Sequence, residues 1–118
     1  MKTTGRQLGD AGEDLAAAAL RKQGYKILER NYQTPLGEID LIARHGKVLV
    51  FVEVKTRKSL RFGAPQEAVS PAKQARLKRL ADYYLKEKRL ESAQVRFDVV
   101  AITWGGEGPQ VETIRDAF

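Results

Sequence analysis

One run constrains this chain more than any other feature. Val48-Leu49-Val50-Phe51-Val52 is continuously apolar, then breaks into Glu53-Val54-Lys55-Thr56-Arg57. A β-branched and aromatic run of this length predicts a strand, spanning about Lys47–Thr56, that is buried on both faces and central in its sheet. A second strand is predicted over Glu38–Ala43, and His45-Gly46 between the two is a tight hairpin signal. Charged groups at the exit of a buried strand need a reason, because burying them without partners is costly.

The hairpin register decides which charges meet. With His45 and Gly46 as the turn, Arg44 faces Lys47, Asp40 faces Phe51 and Glu38 faces Glu53. Side chains alternate along a strand, so Asp40, Phe51, Glu53 and Lys55 share one face. Asp40 is then the diagonal neighbour of Glu53, about 7–8 Å away between backbones. A turn one residue longer or shorter would send Asp40 to the other face. Two carboxylates so placed suit Mg²⁺ or Mn²⁺, hard ions that keep waters and accept a phosphate oxygen. Lys55 beside such an ion could orient the attacking water, favour its hydroxide form or stabilise a pentavalent phosphate. Glu38 shares the face but sits at the far end of its strand, and is expected outside the ion's direct contacts.

The remaining chain supplies the covering layers. Thr3 or Thr4 is a candidate cap for a first helix ending near Gln23, with Leu8, Ala11, Leu15, Ala18 and Ala19 as its apolar stripe. Tyr25–Tyr32 reads as a strand and Thr34-Pro35-Leu36-Gly37 as a turn. Ser59–Val69 reads mostly as loop. Ser70-Pro71 starts a second helix, predicted to reach about Arg89 with Leu77, Leu80, Ala81, Tyr84 and Leu85 inward, and with Tyr83 also assigned to packing. Val95–Thr103 is a further strand, Gly105–Pro109 a turn and Gln110–Arg115 an edge strand. Arg96 and Asp98 share a strand face, which predicts a structural ion pair. No repeat or linker divides residues 1–118, so the expectation is one α/β domain: a mixed sheet flanked by helices, in the order helix, three strands, helix, one or two strands.

Composition narrows the chemistry. The 118 residues include no cysteine and one histidine, which excludes thiolate metal sites and cysteine nucleophiles and disfavours a Ser-His-Asp triad. Twenty-one Lys and Arg against 15 Asp and Glu give a net charge of +6, favouring a polyanionic partner, nucleic acid first. No apolar run approaches the ~20 residues of a membrane span, and Ala16–Leu20 follows Glu13 and Asp14, unlike a secretory segment. The expectation is a cytoplasmic protein with no membrane partner. Arg57, Lys58 and Arg61 follow the charged strand end, and Lys73, Arg76, Lys78 and Arg79 mark the second helix. Arg57, Lys73 and Gln74 are the nucleic-acid-binding candidates, the last two at a helix N-terminus whose amides favour phosphate.

Asp40 followed by Glu53-Val54-Lys55 resembles the PD-(D/E)XK signature of restriction-endonuclease-like nucleases. Ile39 replaces the proline, and the acids are 13 positions apart. A wider string resembles the bacterial YraN-type proteins, an uncharacterised family with an endonuclease-like domain. It comprises Gly12-Glu13, Arg30-Asn31-Tyr32, Gly37 to Ile42, Phe51 to Arg57 and Arg96 to Ile102. The resemblance implies a restriction-endonuclease-like core of α-β-β-β-α-β order. Archaeal-type Holliday-junction resolvases are similar in size and layout. By likeness to them, Glu13, Asp40 and Glu53 would hold the metal, Asp40, Glu53 and Lys55 would be catalytic, and the chain would act as a homodimer. The expectation is a Mg²⁺- or Mn²⁺-dependent DNA endonuclease that selects branched or otherwise structured DNA, in repair or recombination, since nothing resembles a base-reading element. The alternatives are a non-catalytic module of the same fold, binding nucleic acid or a DNA-processing partner protein, and a structural subunit whose basic face binds RNA.

Overall fold

The computed structural model describes Gly5–Arg57 and Val69–Phe118, with side chains from Ala11 onward. The Thr3 or Thr4 cap, Lys58, Arg61 and positions 59–68 of the expected loop lie outside the described residues, as does the Leu8 side chain. The elements are α1 (Gly5–Lys22), β1 (Lys26–Thr34), β2 (Gly37–His45), β3 (Val48–Arg57), α2 (Pro71–Glu87), β4 (Val95–Gly105) and β5 (Gly108–Ile114). The five strands form one mixed sheet in sequence order. Neighbours are antiparallel except β3 and β4, which run parallel and so need the α2 crossover between them. This is the α/β architecture of a restriction-endonuclease-like core.

β3 is central, and Leu49–Val52 are buried. Its alternation feeds two cores. Val50 and Val52 join Leu20 of α1, Leu41, Ala43, Val100 and Ile102 on one face of the sheet. Leu49 and Phe51 join Leu77, Leu80 and Tyr84 of α2 on the other. Ser70 caps α2 as expected, accepting from the Lys73 N–H with Pro71 at the helix start. Of the two tyrosines assigned to packing, Tyr84 is buried but Tyr83 is exposed.

Two expectations change. The hairpin turn is Gly46-Lys47, not His45-Gly46: His45 pairs with Val48, and Gly46 supplies a φ of +63°. Facing position numbers therefore move by two along the paired stretch, which brings Asp40 into line with Glu53 instead of Phe51. The buried face of α1 also differs. Ala16, Ala17 and Leu20 are buried, while Ala18 is exposed. A run of four alanines does not itself specify a helix face. Here Gly12 specifies it, since a side chain at that position would run into the Thr56 hydroxyl.

At the end of the sheet where β3 and β4 begin, the expected Arg96–Asp98 ion pair forms. Arg96 donates from two nitrogens to the fully buried Asp98 at 2.9 Å, and Asp98 also accepts from the Tyr25 hydroxyl at 2.6 Å and the Asp116 N–H at 3.0 Å. Burial alone would raise the Asp98 carboxyl, but these donors hold it below the ordinary range. Among the described residues, no helix is long and apolar enough to cross a membrane.

Candidate metal centre

The opposite end of β3 carries the charged run. The β2–β3 ladder stops at Leu41↔Val52. One step further Asp40 and Glu53 stand across from each other. The Val54 N–H, freed from the ladder, donates to Asp40 Oδ2 at 2.9 Å. β2 changes its facing here: Leu41 and Ala43 pack on the α1 side, whereas Ile39 packs on the α2 side. Across from this stretch, Asn31 of β1 has a φ of +53°. β1 and β2 pair again at Tyr32↔Ile39, whereas β2 and β3 do not pair beyond Leu41↔Val52, where the Asp40 carboxylate takes a strand N–H in place of a ladder bond.

A cleft of about 270 Å³ opens on the α2 side, lined by Glu38, Asp40, Glu53, Lys55, Lys73, Arg76, Leu77 and Leu80. Glu13 reaches the acids from α1, which Gly12 lets settle close to β3 and β4. One carboxylate oxygen each from Glu13, Glu38 and Asp40 lie within 4.8 Å of one another. Glu53 lines the same cleft, with an oxygen 3.5 Å from the Lys55 ammonium. The Arg76 guanidinium lies against Gly37, where a Cβ would collide with it.

These charges perturb one another. Burial, then the charge of Glu53, push the Asp40 carboxyl from 3.8 to about 7, with Glu13 and Glu38 adding to the rise and the Val54 N–H opposing it. On the rim, Lys73 faces Lys55, and that like-charged contact lowers the Lys73 ammonium. The cleft thus has an acidic floor and a basic rim.

Hard oxygen donors in this number suit Mg²⁺ or Mn²⁺. Two oxygens on opposite sides of one Mg²⁺ lie about 4.1 Å apart, so a trio within 4.8 Å is a small side-chain rotation from ligation. A cation there would also relieve the repulsion that raises Asp40. On donor chemistry, spacing and electrostatics, the residues fit the ion.

The cleft brings together Asp40, Glu53, Lys55 and Lys73 of the sequence-derived candidates, with Glu13 joining from α1. It differs from expectation at Glu38, which stands in the carboxylate trio despite its place at the strand's start. The signal was there, two positions before Asp40, but the shifted register and the bend in β2 hid it. Glu53 is outside the trio. Gln74 does not line the cleft; its amide donates to the Val69 carbonyl at 3.0 Å. Arg57 lies further along β3, where its Nε donates to the Thr103 hydroxyl at 3.4 Å.

A family model described as uncharacterised protein family UPF0102 matches residues 12–102. The chain belongs to the UPF0102 family. UPF0102 proteins from three bacteria match nearly end to end. The one from Syntrophotalea carbinolica is 53% identical over 94% of this chain and 90% of its own length. The Syntrophus aciditrophicus protein is 51% identical over 98% and 91%. The Moorella thermoacetica protein is 50% identical over the full length of both. The YraN-type resemblance read from the sequence therefore stands. The UPF0102 match spans every candidate from Glu13 to Gln74.

Proposed function

We propose that this UPF0102 chain is a metal-dependent phosphodiesterase that cleaves DNA, choosing its substrate by structure and serving repair or recombination. One observation carries the reading. Asp40 lines one cleft with Glu38, Glu53 and Lys55, and Glu13 brings a carboxylate oxygen within 4.8 Å of those of Asp40 and Glu38. Glu13, Glu38 and Asp40, with Glu53 beside them, would hold Mg²⁺ or Mn²⁺. Bound there, such an ion would supply Lewis acidity and make a nearby water easier to deprotonate. Asp40 is held for this by the Val54 N–H, which occupies one of its two carboxylate oxygens. Lys55, paired with Glu53, would orient the attacking water and stabilise the hydroxide it becomes, the proton passing to solvent. Lys73 and Arg76 on the rim bind the non-bridging oxygens of the phosphate and neutralise its charge.

The test is a cleavage panel of single-stranded, duplex, flapped and four-way-junction DNA with Mg²⁺ or Mn²⁺, run beside Asp40→Ala and Lys55→Ala. Cutting by the parent that both variants lose is the expected result. No cutting, or equal cutting by the variants, overturns the catalytic assignment. DNA binding without cutting would then make the chain a non-catalytic module of the same fold.

A further inference from the structure

Further along α2 lies a second groove of about 280 Å³ lined by Leu36, Arg79, Asp82, Tyr83 and Lys86. Three large apolar or aromatic side chains are exposed among the described residues, and two of them, Leu36 (59%) and Tyr83 (36%), line this groove. Neither is explained by the fold. Tyr83 stands next to the buried Tyr84 but outside the α2-side core. Leu36 is at the tip of the β1–β2 connection.

The charges along α2 run in register with these residues. Lys73, Arg76, Arg79, Tyr83 and Lys86 follow one another at spacings of three or four, so they form one stripe on the helix surface. The stripe is about 20 Å long at 1.5 Å per residue. Its first two members rim the carboxylate cleft and its last three line the second groove. A cationic track interrupted by an exposed aromatic ring is the pattern that carries single-stranded nucleic acid: cations follow the backbone while the ring stacks on a base. Asp82 within the groove disfavours a phosphate there and suits a base edge, whose amino groups can donate to a carboxylate. In continuous duplex the bases are stacked on one another and not available to Tyr83.

We infer that the α2 stripe is a subsite for an unpaired nucleotide flanking the cleaved phosphate. Its base stacks on Tyr83 against Leu36, and its phosphates ride on Arg79 and Lys86. This deepens the nuclease reading and rests on it for the polarity of the track. The substrate class it names is DNA with a single-stranded segment at the cut: a flap, gap or tail.

The experiment measures fluorescence anisotropy in EDTA, so that nothing is cut. The probes are a labelled 12-nucleotide single strand and a blunt duplex of the same sequence, at matched salt. The parent is expected to bind the single strand more tightly. Tyr83→Ala is expected to weaken single-strand binding roughly five- to hundredfold, as the loss of one stacked base implies. Duplex binding should change less than about twofold, and Tyr83→Phe should restore single-strand affinity. Arg79→Ala should weaken binding and reduce the slope of log affinity against log salt by about 0.7. The inference is overturned if Tyr83→Ala binds the single strand as the parent does, or if the parent prefers blunt duplex. Cleavage by the parent with Mn²⁺ separates the two proposals. Cutting without a Tyr83 effect removes the subsite and keeps the nuclease, whereas stacking-dependent binding without cutting does the reverse.

Discussion

Asp40→Asn is expected to stabilise the metal-free protein at pH 8 while removing its response to metal. The folded chain holds the Asp40 carboxyl near 7, against an ordinary 3.8. Between those values the folded state keeps a proton that the unfolded state has lost. Stability from this group is therefore complete below about pH 4 and falls as pH rises through about 7. At about 1.4 kcal/mol per pH unit, the loss by pH 8 is at most about 4 kcal/mol. Asparagine keeps the shape and accepts the Val54 N–H, but forfeits the charge assistance of that bond, about 1 kcal/mol. The net gain is about 1–3 kcal/mol, or roughly 4–12 °C in Tm for a domain of this size. The assay is thermal unfolding of parent and variant in EDTA at pH 5 and pH 8, then with Mg²⁺ or Mn²⁺. The parent should lose stability from pH 5 to 8 and regain it with metal. Asp40→Asn should be flat in pH and indifferent to metal. A variant less stable than the parent at pH 8, or one that metal stabilises equally, would refute the reasoning.

Other substitutions probe the surrounding parts. Gly12→Ala should push α1 off β3, because the added Cβ meets Thr56; about 1–3 kcal/mol of stability and much of the metal response should go together, read by Tm with and without Mn²⁺. Lys55→Met should lower cleavage by roughly 10²–10⁴-fold without changing Tm by more than a few degrees, since its ammonium serves the cleft and not the core. Asp98→Ala should cost about 3–5 kcal/mol in urea unfolding, because it strips Arg96 and Tyr25 of their shared acceptor. The parent should also lose the Asp98 contribution in acid. Its folded carboxyl is held below the ordinary range, so that stability is present above about pH 4 and disappears as pH falls through the lower folded value.

Much of this was legible in the residues. The apolar run of β3 fixed the centre of the sheet, since only a strand covered on both faces tolerates such a sequence. Its break at Glu53 marked the end where the acidic side chains gather. The Ser70-Pro71 start of α2 and the Arg96–Asp98 pair followed from local rules of capping and strand alternation. Contacts set by tertiary geometry did not follow. Gly46 could take either turn position in the sequence, and only the folded hairpin moves Asp40 opposite Glu53. The alanine run of α1 left its buried face open until the close approach of Gly12 to Thr56 selected one. A regular strand would carry Glu38 past the site, so its place in the sequence points away from it. β2 is irregular at Asp40, and the carboxylate returns to the trio. Tyr83 is exposed although its neighbour is core, a distinction that two adjacent tyrosines cannot signal.

The most direct test of the central claim is a calorimetric titration of Mn²⁺ into the parent at pH 8, repeated with Asp40→Asn and with Glu13→Gln. A saturable heat from the parent, competed by Mg²⁺, absent in Asp40→Asn and weakened in Glu13→Gln, is the predicted result. No saturable binding by the parent, or equal binding by all three proteins, would contradict a metal held by these carboxylates.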